Sequence, residues 1–168
     1  MSPFTLLGVL GLAVGLGATQ KPVRQATLHD AAGKDVGRVT LHEKNGQVTV
    51  TMHLRHLPAG IHGVHLHQNP KCDPPDFQTA GGHYNPTSRK HGRKNPDGPH
   101  IGDLGNITIG KNGNGDREVT ITSTMTRQGM TAFIGTGLAV VVHASADDEM
   151  TDPSGNSGAR IACAVIAP

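Results

Sequence analysis

The chain has few aromatic residues and little net charge. Its 168 residues include no Trp, one Tyr and three Phe, so a core must be built from Val, Ile, Leu, Ala and Met. Val and Ile favour pleated sheet, and 23 Gly with 11 Pro indicate many turns and few long helices. A formal charge of +2, without a basic stripe interleaved with aromatics, excludes a nucleic-acid-binding protein. The length predicts one domain.

Charged side chains are absent from residues 1–20, where residues 4–18 form an apolar run. The run is short for a membrane span and is interrupted by four Gly. It is typical of the apolar part of a secretory signal, although a basic n-region is missing. We therefore expect a signal at 1–20, with an uncleaved N-terminal anchor as the alternative. The domain at 21–168 is expected to have no membrane span.

Cysteine is scarce, with only Cys72 and Cys163 in the chain. An even count fits an exported protein, because disulfides persist outside the cytosol. A bond between these two would close a loop of roughly 90 residues, worth about 4–5 kcal/mol by loop entropy. Two buried free thiols are the alternative. Export predicts a location in the periplasm, the cell envelope or the extracellular space.

Short segments separated by turns follow the N-terminal run and predict an all-β fold. Residues 47–54 alternate between apolar and polar side chains, and Asn45-Gly46 is a hairpin signal. Two long stretches, 68–103 and 145–159, lack such alternation and are expected to be functional loops. Eight strands with these loops, and a crossover at 125–137, predict an antiparallel Greek-key barrel or immunoglobulin-like sandwich. The predicted strands are residues 23–29, 36–41, 47–54, 61–67, 106–109, 118–124, 139–144 and 160–166.

Six of the eleven histidines have a spacing suited to two neighbouring metal ions. His65 and His67 are two apart, so in a strand both face the same way and can bind one ion. His143 closes the pattern at the end of an apolar run. Imidazole suits copper and zinc, a His-plus-carboxylate set suits zinc, and two adjacent ions need one shared ligand. The remaining candidates lie in the first long loop: His83, His91, His100 and Asp103.

The motifs around these residues resemble, in combination, one known family. Residues 63–67 (Gly-Val-His-Leu-His) are similar to a copper-binding strand of the copper/zinc superoxide dismutases, and residues 81–86 to the segment that carries their bridging histidine. The resemblance covers about residues 26–166 and is greatest to the exported bacterial branch. It implies a Greek-key β fold. Further matches are residues 88–91 and 99–106 in the zinc loop, 141–144 at the last copper ligand, and 155–163 at the C-terminal signature.

The resemblance implies both an activity and a ligand set. Superoxide would be disproportionated to oxygen and hydrogen peroxide by Cu(II)/Cu(I) cycling, with one zinc per subunit in a structural and electrostatic role. His83 would bridge the two metals and donate a proton. The implied copper ligands are His65, His67, His83 and His143, and the implied zinc ligands are His83, His91, His100 and Asp103.

Four further residues receive roles from the resemblance. Asp147 would hydrogen-bond one copper histidine and one zinc histidine, and would thereby fix their ring orientations. Arg160 would guide the anionic substrate. Cys72 and Cys163 would form an internal disulfide. The two histidines implied for Asp147 are His65 and His91.

The second long loop departs from the lysine-bearing loop of the eukaryotic members, because residues 147–152 are acidic. Electrostatic steering would then come from the basic residues of the first loop, with a merely solvated loop as the alternative. The remaining histidines are expected at the surface or at strand edges, with an extra ion bound by His53, His56 and His62 as the alternative. The basic residues are Arg89, Lys90, Arg93 and Lys94, and the remaining histidines are His29, His42, His53, His56 and His62.

Two other functions compete with the enzyme. One is a protein that stores or delivers copper and zinc without turnover, and the other is a homologue that keeps zinc alone. The complete set of copper ligands and Arg160 favour the enzyme over both. A monomer and a homodimer are equally compatible with the sequence.

Overall fold

Eight antiparallel strands form one sheet that is nearly closed into a barrel. The computed structural model describes residues 24–44, 47–121 and 135–167. A single turn of 3₁₀ helix spans Gln78–Ala80. The strands are β1 (Arg24–Asp30), β2 (Asp35–Lys44), β3 (Gln47–Leu54), β4 (Gly60–His67), β5 (Asp103–Ile109), β6 (Gly115–Ile121), β7 (Leu138–His143) and β8 (Arg160–Ile166).

The strand order β5-β4-β7-β8-β1-β2-β3-β6 contains long-range neighbours, as Greek-key connections require. The barrel closes loosely between β5 and β6, where the Arg117 side chain donates to the Leu104 carbonyl at 3.3 Å. The all-β Greek-key prediction is confirmed. No helix in the described part of the chain is long and apolar enough to cross a membrane.

Most predicted strands differ from the observed ones by one to three residues at an end. The largest shift is in β6, which starts at Gly115 because the turn after β5 is tight, with Gly110 N–H donating to the Asn114 carbonyl at 2.8 Å. β3 and β8 have the predicted bounds. Several predicted segments lie outside the described residues. They are the N-terminal run, the hairpin dipeptide at 45–46, the end of the sixth predicted strand at 122–124, and residues 125–134 of the crossover predicted at 125–137.

The strands under the metal-binding region are buried on both faces. Val64 and Leu66 of β4 point into the barrel core, whereas His65 and His67 point outward. β7 is fully buried along its length, because loops cover its outer face. This two-sided burial explains the continuous apolar sequence of β7. A second apolar cluster lies under the loops and consists of Phe77, Ala80, Ala139, Val141 and Cys163.

A disulfide ties the first long loop to the last strand. Cys72 and Cys163 are bonded, with Cα atoms 5.7 Å apart and a sequence separation of 91. The predicted disulfide is therefore confirmed, and the alternative of two free thiols is wrong. The bond anchors the loop next to Phe77, a residue that is 2% exposed.

Candidate metal centre

Strand pairing brings histidines from three separate chain segments together. His65 and His67 lie on the outer face of β4, which pairs with β7, and β7 ends at His143. A backbone bridge pairs His83 with His67, so the first long loop folds back over β4. The ring centroid of His65 is 3.9 Å from that of His83 and 4.8 Å from that of His143.

Three of these rings are oriented by hydrogen bonds from one nitrogen. The donor–acceptor distances are 2.9 Å for His65 Nε2, 2.9 Å for His67 Nδ1 and 3.1 Å for His143 Nδ1. Because a carbonyl or carboxylate oxygen only accepts, these nitrogens carry the proton, and the opposite nitrogens carry a free lone pair. The acceptors are, in the same order, Asp147 Oδ2, the Gly81 carbonyl and the Gly158 carbonyl.

Four buried ring nitrogens converge without a hydrogen-bond partner in the described ranges. Ligand atoms from their four residues lie within 4.8 Å of one another. Buried polar atoms are rarely left unpaired, so four lone pairs around one point fit a metal ion. Imidazole nitrogens suit copper. The unpaired atoms are His65 Nδ1, His67 Nε2, His83 Nε2 and His143 Nε2.

Burial keeps these imidazoles neutral. Desolvation lowers the pKa of His65 to about 3, that of His67 to about 2 and that of His143 to about 4. It also lowers the pKa of His83. Since metals bind the neutral imidazole, protons compete weakly for these nitrogens near pH 7.

A second set of ligand atoms surrounds one carboxylate oxygen, Asp103 Oδ1. It lies 3.0 Å from His83 Nδ1, 3.1 Å from His91 Nδ1 and 3.2 Å from His100 Nδ1. His83 Nδ1 and His100 Nδ1 are 3.4 Å apart. Around a tetrahedral zinc with bonds of about 2.0–2.1 Å, neighbouring ligand atoms are about 3.3–3.4 Å apart. The geometry therefore fits zinc.

His65 lies within reach of both sets. Its ligand atoms and those of His83, His91 and Asp103 lie within 4.8 Å of one another, a grouping that does not contain His100. We assign His65 to the first set. Its Nε2 is hydrogen-bonded to Asp147, so only Nδ1, which has no hydrogen-bond partner in the described ranges, can bind an ion. His83 belongs to both sets, with Nε2 facing the first and Nδ1 facing the second.

Charge in the second set is stabilised by reciprocal contacts. Burial would raise the pKa of Asp103, but hydrogen bonds from the histidines and from the backbone N–H of Gly92 hold it well below its usual range. Burial would also lower the pKa of His91, but hydrogen bonds to Asp103 and Asp147 raise it to about 9. A cation bound at His91 Nδ1 replaces the proton on that atom.

Asp147 connects the two sets. Its Oδ2 lies 2.9 Å from His65 Nε2, and its Oδ1 lies 2.9 Å from His91 Nε2. The backbone N–H of Glu149 also donates to Oδ1, at 2.6 Å. The Asn106 side chain holds the Asp147 backbone through two hydrogen bonds of 2.8 Å. One carboxylate therefore orients a ring of each set.

Arg160 lies beside the first set and is held by backbone carbonyls. Nη1 donates to the Phe77 carbonyl and Nη2 to the Gly81 carbonyl, both at 2.7 Å. Its positive charge contributes to the lowered pKa values of His67 and His143. A fixed, partly exposed guanidinium next to these histidines suits an anionic substrate.

Two of the four basic residues of the first long loop form ion pairs with the second loop, whereas Arg89 donates to the Gly98 carbonyl of its own loop at 2.9 Å. Arg93 Nη2 lies 2.6 Å from Glu149 Oε1, and Lys90 Nζ lies 3.4 Å from Asp152 Oδ2. These acidic partners offset the charges of Arg93 and Lys90. The pairing argues against long-range steering by these two residues and instead joins the loops.

One of the remaining histidines, His62, is buried and does not lie at the surface as the sequence predicted. His62 is buried, with Nδ1 2.8 Å from the His143 carbonyl and Nε2 2.9 Å from the Pro58 carbonyl. Alternation in β4 gives the signal, since residues 62, 64 and 66 share the inner face. His53, by contrast, is exposed and lies 2.7 Å from Asp116 Oδ1. Within the described ranges, neither histidine belongs to a metal-ligand group.

A β-barrel that carries two adjoining ligand sets with a shared imidazole is that of a binuclear metalloprotein. The family described as copper/zinc superoxide dismutase matches residues 36–166, and the chain belongs to this family. The predicted family, its dismutase function and its copper and zinc cofactors are thereby confirmed. The Cys72–Cys163 disulfide indicates an exported protein, because disulfides persist outside the cytosol.

Individual relatives agree with the assignment. Superoxide dismutase [Cu-Zn] 1 of Aquifex aeolicus is 38% identical, with 84% of this chain and 85% of that protein covered. Superoxide dismutase [Cu-Zn] of Deinococcus radiodurans is 36% identical, with 96% and 95% covered. Among solved structures, a superoxide dismutase-like protein from Bacillus subtilis has a TM-score of 0.77 at 35% identity, with 85% of this chain and 97% of that chain covered.

Proposed function

We propose that this chain disproportionates superoxide at a copper ion held by the first ligand set, next to a zinc ion held by the second. The observation that carries the proposal is a group of four histidines whose ligand atoms lie within 4.8 Å of one another, each with a buried ring nitrogen that has no hydrogen-bond partner in the described ranges. Copper binding is assigned to His65, His67, His83 and His143. Zinc binding is assigned to His83, His91, His100 and Asp103.

The bound copper supplies alternating one-electron transfer, so that one superoxide is oxidised to oxygen and a second, with two protons, is reduced to hydrogen peroxide. His83 can carry one of these protons at Nε2. This nitrogen faces the first set, while Nδ1 of the same ring lies 3.0 Å from Asp103 Oδ1. A ring held at Nδ1 can carry a proton at Nε2 and release it towards the substrate. The second ligand set, to which Nδ1 belongs, would keep the ring in place during this exchange.

Arg160 binds the substrate anion in this proposal. Its guanidinium is anchored by two carbonyl oxygens, so it needs little reorganisation when an anion arrives. Asp147 acts by orienting His65 and His91 and touches no substrate.

The N-terminal segment and the quaternary structure complete the proposal. Residues 1–20 serve as a secretory signal, or as an anchor if they are not cleaved, and residues 21–168 form one domain. The protein acts in the periplasm, the cell envelope or the extracellular space, as a monomer or a homodimer. N-terminal sequencing of protein isolated from the envelope and light scattering of the purified chain test these points.

Metal analysis combined with an activity assay tests the central proposal. The purified protein should contain one copper and one zinc per chain, show a Cu(II) electron paramagnetic resonance signal and remove superoxide. Activity should disappear after copper removal and return on reconstitution. His143→Ala should lose copper, whereas the exposed control His53→Ala should retain it. Reconstituted protein without a Cu(II) signal would refute the assignment.

A further inference from the structure

Arg93 lies where three segments of the metal-binding region meet. Its guanidinium contacts Glu149 Oε1 at 2.6 Å. It also covers Gly105 so closely that a Cβ atom there would lie 2.0 Å from Arg93 Nη2. Each of these three residues follows a member of the site by two positions, in the order His91, Asp147 and Asp103 for Arg93, Glu149 and Gly105.

The backbones of the two long loops also touch at this point. The N–H of Lys94 donates to the Glu149 carbonyl at 2.9 Å, and a Cβ atom on Gly92 would lie 2.1 Å from that carbonyl oxygen. Glu149 itself has a φ of 61°, a left-handed conformation that a non-glycine residue keeps only when its surroundings hold it. Its N–H donates to Asp147 Oδ1, so its backbone position affects that carboxylate.

The Arg93–Glu149 ion pair is shielded more than an ordinary surface pair. The Glu149 side chain is 17% exposed and that of Arg93 is 42% exposed, whereas Arg55 and Asp35, which form another arginine–carboxylate pair, are 52% and 44% exposed. Ion pairs that are fully solvated contribute little. A planar guanidinium, packed on Gly105 and bound to Glu149, restrains both partners more strongly.

We propose that Arg93 and Glu149 form a latch that positions Asp103 and Asp147 and thereby retains zinc. The inference rests on the proposed zinc ligand set. Arg93 holds the strand at Gly105 and, through Glu149, the loop that supplies Asp147. Gly92, next to Arg93, donates its N–H to Asp103 Oδ2 at 2.9 Å, so the latch residues flank this contact as well. Both latch residues are positioning residues.

Zinc release from the fully metal-loaded protein into a chromophoric chelator tests the latch. Arg93→Ala and the milder Glu149→Gln should each release zinc about 10-fold faster, the lower end of the effect usual for residues that support metal ligands. Arg93→Glu should be faster still, and the exchange Arg93→Glu/Glu149→Arg should be slower than Arg93→Glu alone. Arg55→Ala removes a comparable arginine–carboxylate pair that contacts no ligand and should release zinc at the original rate.

Cobalt substitution adds a readout that general destabilisation does not move. The visible absorption of Co(II) bound in place of zinc should change in Arg93→Ala and Glu149→Gln, and stay unchanged in Arg55→Ala. Zinc release and Co(II) spectra equal to those of Arg55→Ala would overturn the latch while leaving the proposed function intact. An unmodified protein that binds no zinc would overturn the proposed zinc set, and the latch with it.

Discussion

Gly155 occupies a position that only glycine can fill without moving Asp147. Its φ is +62°, and a Cβ atom would lie 1.9 Å from Asp147 Oδ1 and 2.6 Å from His91 Nε2. In Gly155→Ala the carboxylate must retreat by roughly 1 Å or more to reach an ordinary contact distance. Because Asp147 Oδ1 is 2.9 Å from His91 Nε2, that hydrogen bond is lost or badly strained.

Two effects add up in this variant. A left-handed alanine costs about 1–2 kcal/mol wherever it occurs. Loss of a hydrogen bond to a charged carboxylate adds about 1.5–3 kcal/mol. The second effect acts on His91, so zinc affinity should fall about 10- to 100-fold, the range usual when a residue that supports a metal ligand is removed.

Gly33→Ala is the matched control for backbone strain. Gly33 has a φ of +77° and nothing within 4 Å of its Cβ position, so it carries the conformational cost without the clash. Urea unfolding of the metal-free proteins should show a loss of about 1–2 kcal/mol in Gly33→Ala and a larger loss, about 2.5–5 kcal/mol, in Gly155→Ala, where the hydrogen bond is lost as well. Chelator competition should show weakened zinc binding in Gly155→Ala alone. Equal zinc affinities in the two variants would refute the role assigned to the Asp147–His91 contact.

Two further predictions concern charge. Arg160→Ala should lower the superoxide dismutation rate about 10-fold or more, because a charge-assisted contact contributes about 1.5–3 kcal/mol, while the copper and zinc contents stay unchanged. Arg160→Lys should keep part of the rate. A loss of metal parallel to the loss of activity would contradict substrate binding by Arg160. The metal-free protein should lose stability from pH 6.5 to about pH 5. The folded-state pKa values of His65, His67 and His143 are about 3, 2 and 4, so over this range the unfolded chain takes up these protons and the folded chain does not. The slope is about 1.4 kcal/mol per pH unit for each histidine, and urea unfolding free energies that are flat across this range would contradict the neutral, buried state.

The sequence predicted the barrel because its signals are local. Alternation in residues 47–54 reproduces β3 with its bounds, since a strand with one buried face must place every second side chain inside. β6 starts three residues earlier than predicted, because Gly115 and Arg117 interrupt the apolar pattern. Both residues lie at the seam with β5, where Arg117 binds the Leu104 carbonyl. Alternation alone cannot reveal such a contact between distant strands.

The candidate ligands and one of their supports, Asp147, were predicted from the sequence, whereas the contacts that join the two long loops were not. The spacing of His65 and His67 predicts that they share one face of a strand. The flanking motifs indicated the remaining candidates. No comparable pattern marks Arg93, which was interpreted as a steering residue because its exposed-loop sequence shows only its charge. Its contact with Glu149 spans 56 residues, and it depends on how two irregular loops pack. Gly92 and Gly105, which lie against Glu149 and Arg93, are consistent with this close packing in the structure.

The shared supports explain how a zinc set without redox chemistry bears on the copper set. His65 is oriented by Asp147, and Asp147 is in turn held by His91, by Glu149 and by Asn106. Whatever fixes His91 at Asp103 therefore also fixes the direction in which His65 Nδ1 points. Since His83 belongs to both sets as well, the two sets are joined through one imidazole and one carboxylate. A cation at Asp103 should consequently restrict the ring orientations of the four histidines with unpaired nitrogens, even though the cation exchanges no electron.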